Sequence, residues 1–275
     1  MSMTPEPLPV LDAKQEREKN FHNEWARTVQ VEDLKVHENF ESPTAIENHY
    51  ALKRMGDLRG KKLLDLGCGA GETSVYFALK GATVHACDIA EEFIKVTETL
   101  AARHAVSVQA VQAEASRLPY AGETFDIVFG NGVLHHVEVL PTGKEISRVL
   151  KKGGLAVFIE PLPYNPLINI YRHLAKGVRT EDEKPLTFSQ LRALSPYFSS
   201  FDHQEFWLFS LIIFLHFYFV KRWDPSKVRY WKKVIEEGNA YKKMFTRLQS
   251  YDRFLIRTMP FLRPLCWNTV LVGIK

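Results

Sequence analysis

The sequence predicts an α/β fold built on an open, doubly wound parallel sheet, and three observations lead there. Between residues 61 and 160, short β-branched or apolar runs alternate with helical stretches until five strands are counted, the pattern of a parallel sheet with helical crossovers. Asp65, Asp88, Asn131 and Glu160 fall at the ends of four of those runs, and open α/β sheets bind ligands at the carboxyl ends of their strands. The first run, at residues 61–66, turns at once into Gly67-Cys68-Gly69-Ala70-Gly71. Glycines there remove Cβ atoms, so a flat polar ligand can lie against the free amides that open the next helix.

A chain of 275 residues with 45% apolar residues supports one large core, as a single elaborated domain or a domain with a substantial insertion. A formal net charge of +4 is too small to indicate nucleic acid. Cys68, Cys87 and Cys266 make an odd count, which fits a reduced, cytoplasmic protein better than a disulfide framework. No charged start followed by an apolar core and a small-residue cleavage site is present, so no secretory signal is expected.

Taken in order, residues 1–12 carry Pro5, Pro7 and Pro9 and read as an extended tail. Residues 13–28 read as a helix with Phe21 and Trp25 on one face. A second helix is expected from Ser42-Pro43 to about Met55, with serine as cap and proline in the first turn. These first sixty residues either pack against the sheet or form a lid, the latter suggested by Phe21, His22, Trp25, His37, His49 and Tyr50. Residues 72–80 give a short helix stopped by Gly81, and residues 82–87 a second strand ending in Asp88. A carboxylate at that place can accept from both ribose hydroxyls of an adenosine. A helix at 91–104, a strand at 106–111, a strand at 125–130, a helix at 141–150 with a glycine stop at Gly153-Gly154, and a strand at 155–159 follow.

The turn spacing is G-x-G-x-G with Asp65 two residues ahead, unlike the G-x-G-x-x-G of dinucleotide enzymes. It resembles the first motif of the class I S-adenosylmethionine (SAM) methyltransferases. The resemblance continues through Asp88, through Glu114-Ala115 with Leu118-Pro119-Tyr120, and through Asn131 with Leu134-His135-His136, and spans about residues 61–160. It is similar to the small-molecule, ubiquinone/menaquinone-biosynthesis branch with a type 11 methyltransferase domain. The resemblance implies a Rossmann-like sheet of seven strands, with SAM held by Asp65, Gly67, Cys68, Gly69, Gly71, Asp88, Ile89, Glu114, Ala115 and Asn131 and S-adenosylhomocysteine as product. The family more often has Asp where Glu114 stands, which leaves the adenine contact open.

His135 and His136 are the leading candidates for a base, with Glu160 near them, because imidazole titrates near neutrality. Trp25, Tyr50, Tyr164, Asn165, Arg172 and His173 are candidate substrate contacts, and Arg172, His173 and Arg179 suit an anionic acceptor group. Glu160-Pro161-Leu162-Pro163-Tyr164 only loosely resembles the signature of amino-group DNA methyltransferases and follows the wrong strand. His135-His136 with His173 is not expected to bind metal, since adjacent side chains on a helix or strand diverge and no further ligand completes a spacing.

A helix at 186–194 and a sixth strand at 201–208 come next, and the seventh strand is expected at 267–274. The organisation is then tail and lid at 1–60, the SAM-binding core at 61–205, an insertion at 206–262, and the final strand at 263–275. The insertion opens with a fifteen-residue apolar run at 206–220, too short to span a bilayer. From 221 to 263 it holds twelve Lys/Arg against four Asp/Glu, interleaved with aromatics. Core packing, a membrane-surface or hydrophobic-substrate lid and a homodimer interface all fit this pattern. The expected function is methyl transfer from SAM to a small hydrophobic acceptor, whether quinone, terpenoid, lipid or polyketide-like, with no nucleic acid partner. The expected location is cytoplasmic, with peripheral membrane contact through 206–262. The alternative is a non-catalytic, SAM-binding scaffold at a membrane surface.

Overall fold

The computed structural model describes residues 10–175 and 184–275. The expectations for the proline-rich start and for Arg179 lie outside the described residues.

Seven strands form one sheet: β1 Lys62–Leu66, β2 Thr83–Asp88, β3 Val108–Gln112, β4 Phe125–Asn131, β5 Leu150–Pro161, β6 Ser200–Phe206 and β7 Asn268–Ile274. Their order is β3-β2-β1-β4-β5-β7-β6. The first five run parallel, and β7 lies antiparallel between β5 and β6. The order reverses between β1 and β4, so the loops after these two strands diverge and leave a crevice at their carboxyl ends.

The inner strands β1, β2, β4 and β7 and the second half of β5 are buried on both faces, which is why they read as near-continuous apolar runs, whereas the edge strands β3 and β6 are more exposed and more polar. Leu63, Ile127, Phe129, Val157, Val270 and Val272 face one core, while Leu64, Leu66, Val128, Phe158 and Leu271 face the other. The first core is covered by α3 Ile46–Met55, α4 Glu72–Leu79 and α5 Glu91–Arg103, through Ala51, Val75, Phe77 and Leu100. The second is covered by α6 Val139–Val149 and α8 Phe188–Arg192, through Ile146, Val149 and Leu191.

The amino-terminal helix α1, Ala13–Thr28, begins with a capping box. Asp12 accepts from the amides of Lys14 and Gln15 at 2.7 and 2.8 Å, and the Gln15 side chain accepts from Asp12 N–H at 2.9 Å. Trp25 and Ala26 pack α1 onto Phe93 of α5. The second expected helix starts later than Ser42-Pro43. After the short α2, Glu38–Glu41, these residues form a turn whose Ser42 and Thr44 hydroxyls lie 2.9 Å apart. Thr44 donates to the Val234 carbonyl at 2.7 Å. The turn docks on a distant helix instead of capping its own.

Two other boundaries move. Gly153 and Gly154 do not stop the α6 helix, because β5 already begins at Leu150 and absorbs both glycines where its pairing with β4 shifts register. A helix not anticipated, α7 Pro166–Leu174, follows β5, with Asn165 as its cap.

Between β6 and β7 the chain forms α9 Ile213–Phe219, α10 Tyr230–Glu236 and α11 Gly238–Thr258. Trp207, Leu211, Ile213, Phe214 and Phe217 are buried in a third core with Tyr230, Val234, Tyr241, Phe245 and, from α7, Ile168 and Tyr171. Five residues of the fifteen-residue apolar run are therefore core. Gly238 at the start of α11 has no room for a side chain, since a Cβ would lie 1.9 Å from the Ser42 hydroxyl. Phe209, Ile212, Phe219, Val220, Tyr251, Phe254 and Phe261 remain exposed. Among the described residues, no helix is long and apolar enough to cross a membrane.

Candidate active site

The crevice above β1 and β4 opens into a cavity of about 600 Å³. Its floor is the Asp65–Gly71 turn, one wall is α1, and the other is α10 with the start of β7. The three glycines are required for different reasons. Gly67 has φ +69° and would place a Cβ 2.6 Å from Val133, while Gly71 has φ +84° and would place one 2.6 Å from Thr97 of α5. At Gly69 a Cβ would meet nothing within 4 Å. That face of the turn is open to the cavity.

The carboxylates around the turn are tied down from below. Asp88 accepts from Gly69 N–H at 3.0 Å and from Ala90 N–H at 2.9 Å, so the end of β2 holds the glycine turn in place. Burial pushes its carboxyl above the ordinary value. Asp65 accepts from the Ser74 hydroxyl at 2.5 Å. Burial, with a smaller contribution from Asp88, raises the Asp65 carboxyl to about 7. Glu114 is buried and accepts from Ser116 N–H at 2.9 Å. All ten residues expected to hold the cofactor, except Gly71, line this cavity: Asp65, Gly67, Cys68, Gly69, Asp88, Ile89, Glu114, Ala115 and Asn131. Gly71 lies beneath them as the first residue before α4.

The loop after β4 brings in the histidines. Glu160, fully buried at the end of β5, accepts from the amides of Val133 and Leu134 at 2.9 and 2.7 Å. Its second oxygen lies 2.7 Å from His135 Nδ1. A carboxylate only accepts, so the proton between the two groups is carried on Nδ1. Glu160 itself does not line the cavity, so its place is behind His135. His136 turns toward α1, with Nδ1 3.2 Å from Glu18, and His22 Nε2 is 3.4 Å from the same carboxylate. Burial opposes the charge on Glu18, yet the two imidazoles hold it well below the usual carboxylate range. Burial and neighbouring His135 lower the His136 imidazole. The two histidines do not diverge as expected for a helix or strand. Residues 134–136 form a turn, and the rings lie 4.1 Å apart.

The expected substrate residues divide. Trp25 and Arg172 line the cavity. Tyr50 does not, because its position on α3 faces Phe206 of β6, where it accepts from Arg54 at 2.7 Å. Tyr164 is exposed and stacks on Phe188. Asn165 serves as the α7 cap and donates to the Leu265 carbonyl at 2.6 Å. His173 is exposed on α7 outside the cavity. His37 and His49 likewise stay off the cavity, leaving Phe21, His22 and Trp25 as the members of that group that line it.

Several lining residues had no sequence signal. Glu18 lies four residues from His22 on α1, a spacing common on solvated helices. Arg229, Trp231 and Lys232 come from the insertion, and Arg229 lies 3.8 Å from the Trp25 ring centre. Glu47 is buried and accepts from Trp207 Nε1 and Asn268 Nδ2, both at 2.9 Å.

Residues 64–158 match the family described as methyltransferase domain. The chain is 37% identical over 158 residues to a ubiquinone biosynthesis O-methyltransferase of Rhizobium leguminosarum bv. trifolii, covering 49% of this chain and 60% of that protein. It is 33% identical over 126 residues to a demethylmenaquinone methyltransferase of Lactococcus lactis, covering 44% of this chain and 49% of the relative. The chain thus spans little more than half the length of the curated relatives it matches. In fold, it is similar to the phosphoethanolamine N-methyltransferase 2 of Haemonchus contortus solved with S-adenosyl-L-methionine, with a TM-score of 0.58 at 17% identity over 97% of this chain and 60% of that one.

Proposed function

We propose that this chain transfers the methyl group of SAM to an oxygen of a small, hydrophobic, quinol-like acceptor. One observation carries the reading: the open glycine turn and the Glu160-oriented His135 border the same cavity. The residues present fit the cofactor. Gly69 leaves the space that a Cβ would enter, and Asp65, Asp88 and Glu114 line the cavity with carboxylates able to accept from an amino group, ribose hydroxyls and an adenine amine. The relatives that act in quinone biosynthesis support the acceptor class.

SAM supplies a methyl group already activated on a sulfonium. What remains for the protein is alignment, exclusion of water and removal of one proton. Trp25, Phe21 and Arg229 close the side of the cavity facing α1 and α10. His135 Nε2 receives the acceptor's hydroxyl proton as its oxygen takes the methyl, and Glu160 stabilises the imidazolium through Nδ1. Glu160 is a positioning residue in this scheme, not a base.

We also infer that the protein meets an anionic membrane surface, where a hydrophobic acceptor would be found. Tyr251 and Phe254 lie three apart on α11, Phe209 packs against Tyr251, and Phe261 follows the helix. Arg253 and Arg257 are exposed on the same helix, and aromatics flanked by cations suit the headgroup layer. A second copy of the chain is the competing occupant of this face.

Calorimetry with SAM and S-adenosylhomocysteine, followed by mass spectrometry of a quinone and lipid extract for a gain of one methyl, tests the reading. Binding and a methylated product support it. Binding without product in any extract would favour the scaffold, and absence of binding would overturn the cofactor assignment.

A further inference from the structure

Glu18, His22 and His136 meet where α1 crosses the β4 loop, and their ligand atoms all lie within 4.8 Å of one another. The set differs from the histidines that the sequence brought to mind, since His173 is remote and His135 is engaged by Glu160. Two imidazoles and one carboxylate form a common donor set for zinc and similar divalent ions.

The spacing is informative. Donors bound tetrahedrally at about 2.0–2.1 Å lie about 3.3 Å from each other. Glu18 is 3.2 Å from His136 Nδ1 and 3.4 Å from His22 Nε2. Glu18 Oε2 and His136 Nδ1 are buried, and despite their approach neither has an aligned hydrogen-bond partner among the described residues. Buried polar atoms left in that condition are costly and point to a missing partner. The Asp88 carboxylate is close enough to both imidazoles to interact with them electrostatically, which adds negative field at the site.

We infer that Glu18, His22 and His136 bind a divalent transition metal of the zinc class at the cavity wall. Three protein donors leave a fourth position, and because all three residues line the cavity, a water or an oxygen of a bound molecule completes the shell. The ion joins α1 to the β4 loop, so metal also fastens the amino-terminal helix over the cavity. The inference is drawn from these side chains alone and stands or falls separately from methyl transfer.

The test uses full-length, untagged protein stripped with a chelator and titrated with Co2+. Saturation at one equivalent, with the intense visible absorption of four-coordinate Co2+ and its displacement by Zn2+, is the expected result. Glu18→Gln and His22→Gln each abolish that absorption, whereas His173→Gln leaves it unchanged. Circular dichroism of the metal-free variants checks that the fold persists. If Glu18→Gln does not fold, X-ray absorption of the zinc-loaded wild-type protein decides instead, with two imidazoles and one carboxylate expected. Lack of saturable Co2+ binding by the wild type, persistence of the spectrum in the folded variants, or a different donor set would overturn the site.

Discussion

The Arg229 guanidinium lies 3.8 Å from the ring centre of Trp25, joining the insertion to the amino-terminal helix at two residues that both line the cavity. A partly desolvated cation–π pair contributes about 0.5–2 kcal/mol, so Arg229→Ala should raise the acceptor KM by about 2- to 30-fold. Steady-state kinetics should find SAM affinity, measured without acceptor, nearly unchanged. Arg229→Lys should recover only part of the loss, because an ammonium does not stack as a guanidinium does.

Gly69 and Gly71 separate binding from folding. Gly71→Ala drives a Cβ into Thr97, with contacts of 2.6–2.8 Å, and should cost about 1–3 kcal/mol of stability. Gly69→Val meets no protein atom within 4 Å of its Cβ but projects into the cavity from φ +50°, so the folded state loses only about 1–2 kcal/mol. Its SAM binding should vanish. Near-normal calorimetric affinity in Gly69→Val would falsify the placement of the cofactor.

Asp65 gives the cavity a pH dependence. Its carboxyl is raised from 3.8 to about 7, chiefly by burial. A raised acid stabilises the ligand-free fold below its unfolded value, and that contribution is lost as pH rises through about 7. A cationic cofactor favours the ionised form, so SAM binding should strengthen as pH rises through the same range and release a proton. Calorimetry in buffers of different ionisation enthalpy measures that proton. Asp65→Asn should remove both the release and the pH dependence.

Glu160→Gln keeps one oxygen for the Val133 and Leu134 amides, which preserves the loop, but replaces the acceptor facing His135 Nδ1. Loss of orientation and of imidazolium stabilisation should lower kcat by about 100-fold or more. SAM affinity should stay within a factor of about two, since no cofactor residue has moved and the turn is held by Asp88. Single-turnover kinetics check that the loss lies in chemistry.

Replacing Phe254 and Phe261 together by Glu removes exposed apolar area and adds charge where an anionic surface is expected. Sedimentation with vesicles containing an anionic lipid should fall to background, with activity on a short-chain soluble acceptor retained. If light scattering instead reports a dimer that the double variant abolishes, while vesicle binding is unaffected, this face serves a second copy.

Much of the frame was legible in the residues because it depends on local patterns. Five parallel strands announced themselves as β-branched or apolar runs separated by helices, and the glycine turn by its spacing. Asp65, Asp88 and Asn131 could be named because strand ends converge on the crevice wherever the order of a parallel sheet reverses, and Glu114 only because its motif resembles a known one. The same logic misjudged residues whose meaning depends on a distant partner. Tyr50, Tyr164, Asn165 and His173 looked chemically apt but face a strand, a stacked ring, a helix start and solvent. Glu18, by contrast, was an ordinary helix-face carboxylate until α1 met the β4 loop.

The sequence by itself determined the parallel part of the sheet and the glycine turn after its first strand, since each rests on periodicity or on residues within a few positions of one another. Tertiary structure alone decided which part of the 206–220 run is core, which histidine pairs with Glu160, and that Arg229 stacks on Trp25. Those outcomes rest on contacts between residues as much as 204 positions apart. Such contacts leave no period in the chain, because packing selects partners by shape, charge and burial only after the elements have formed.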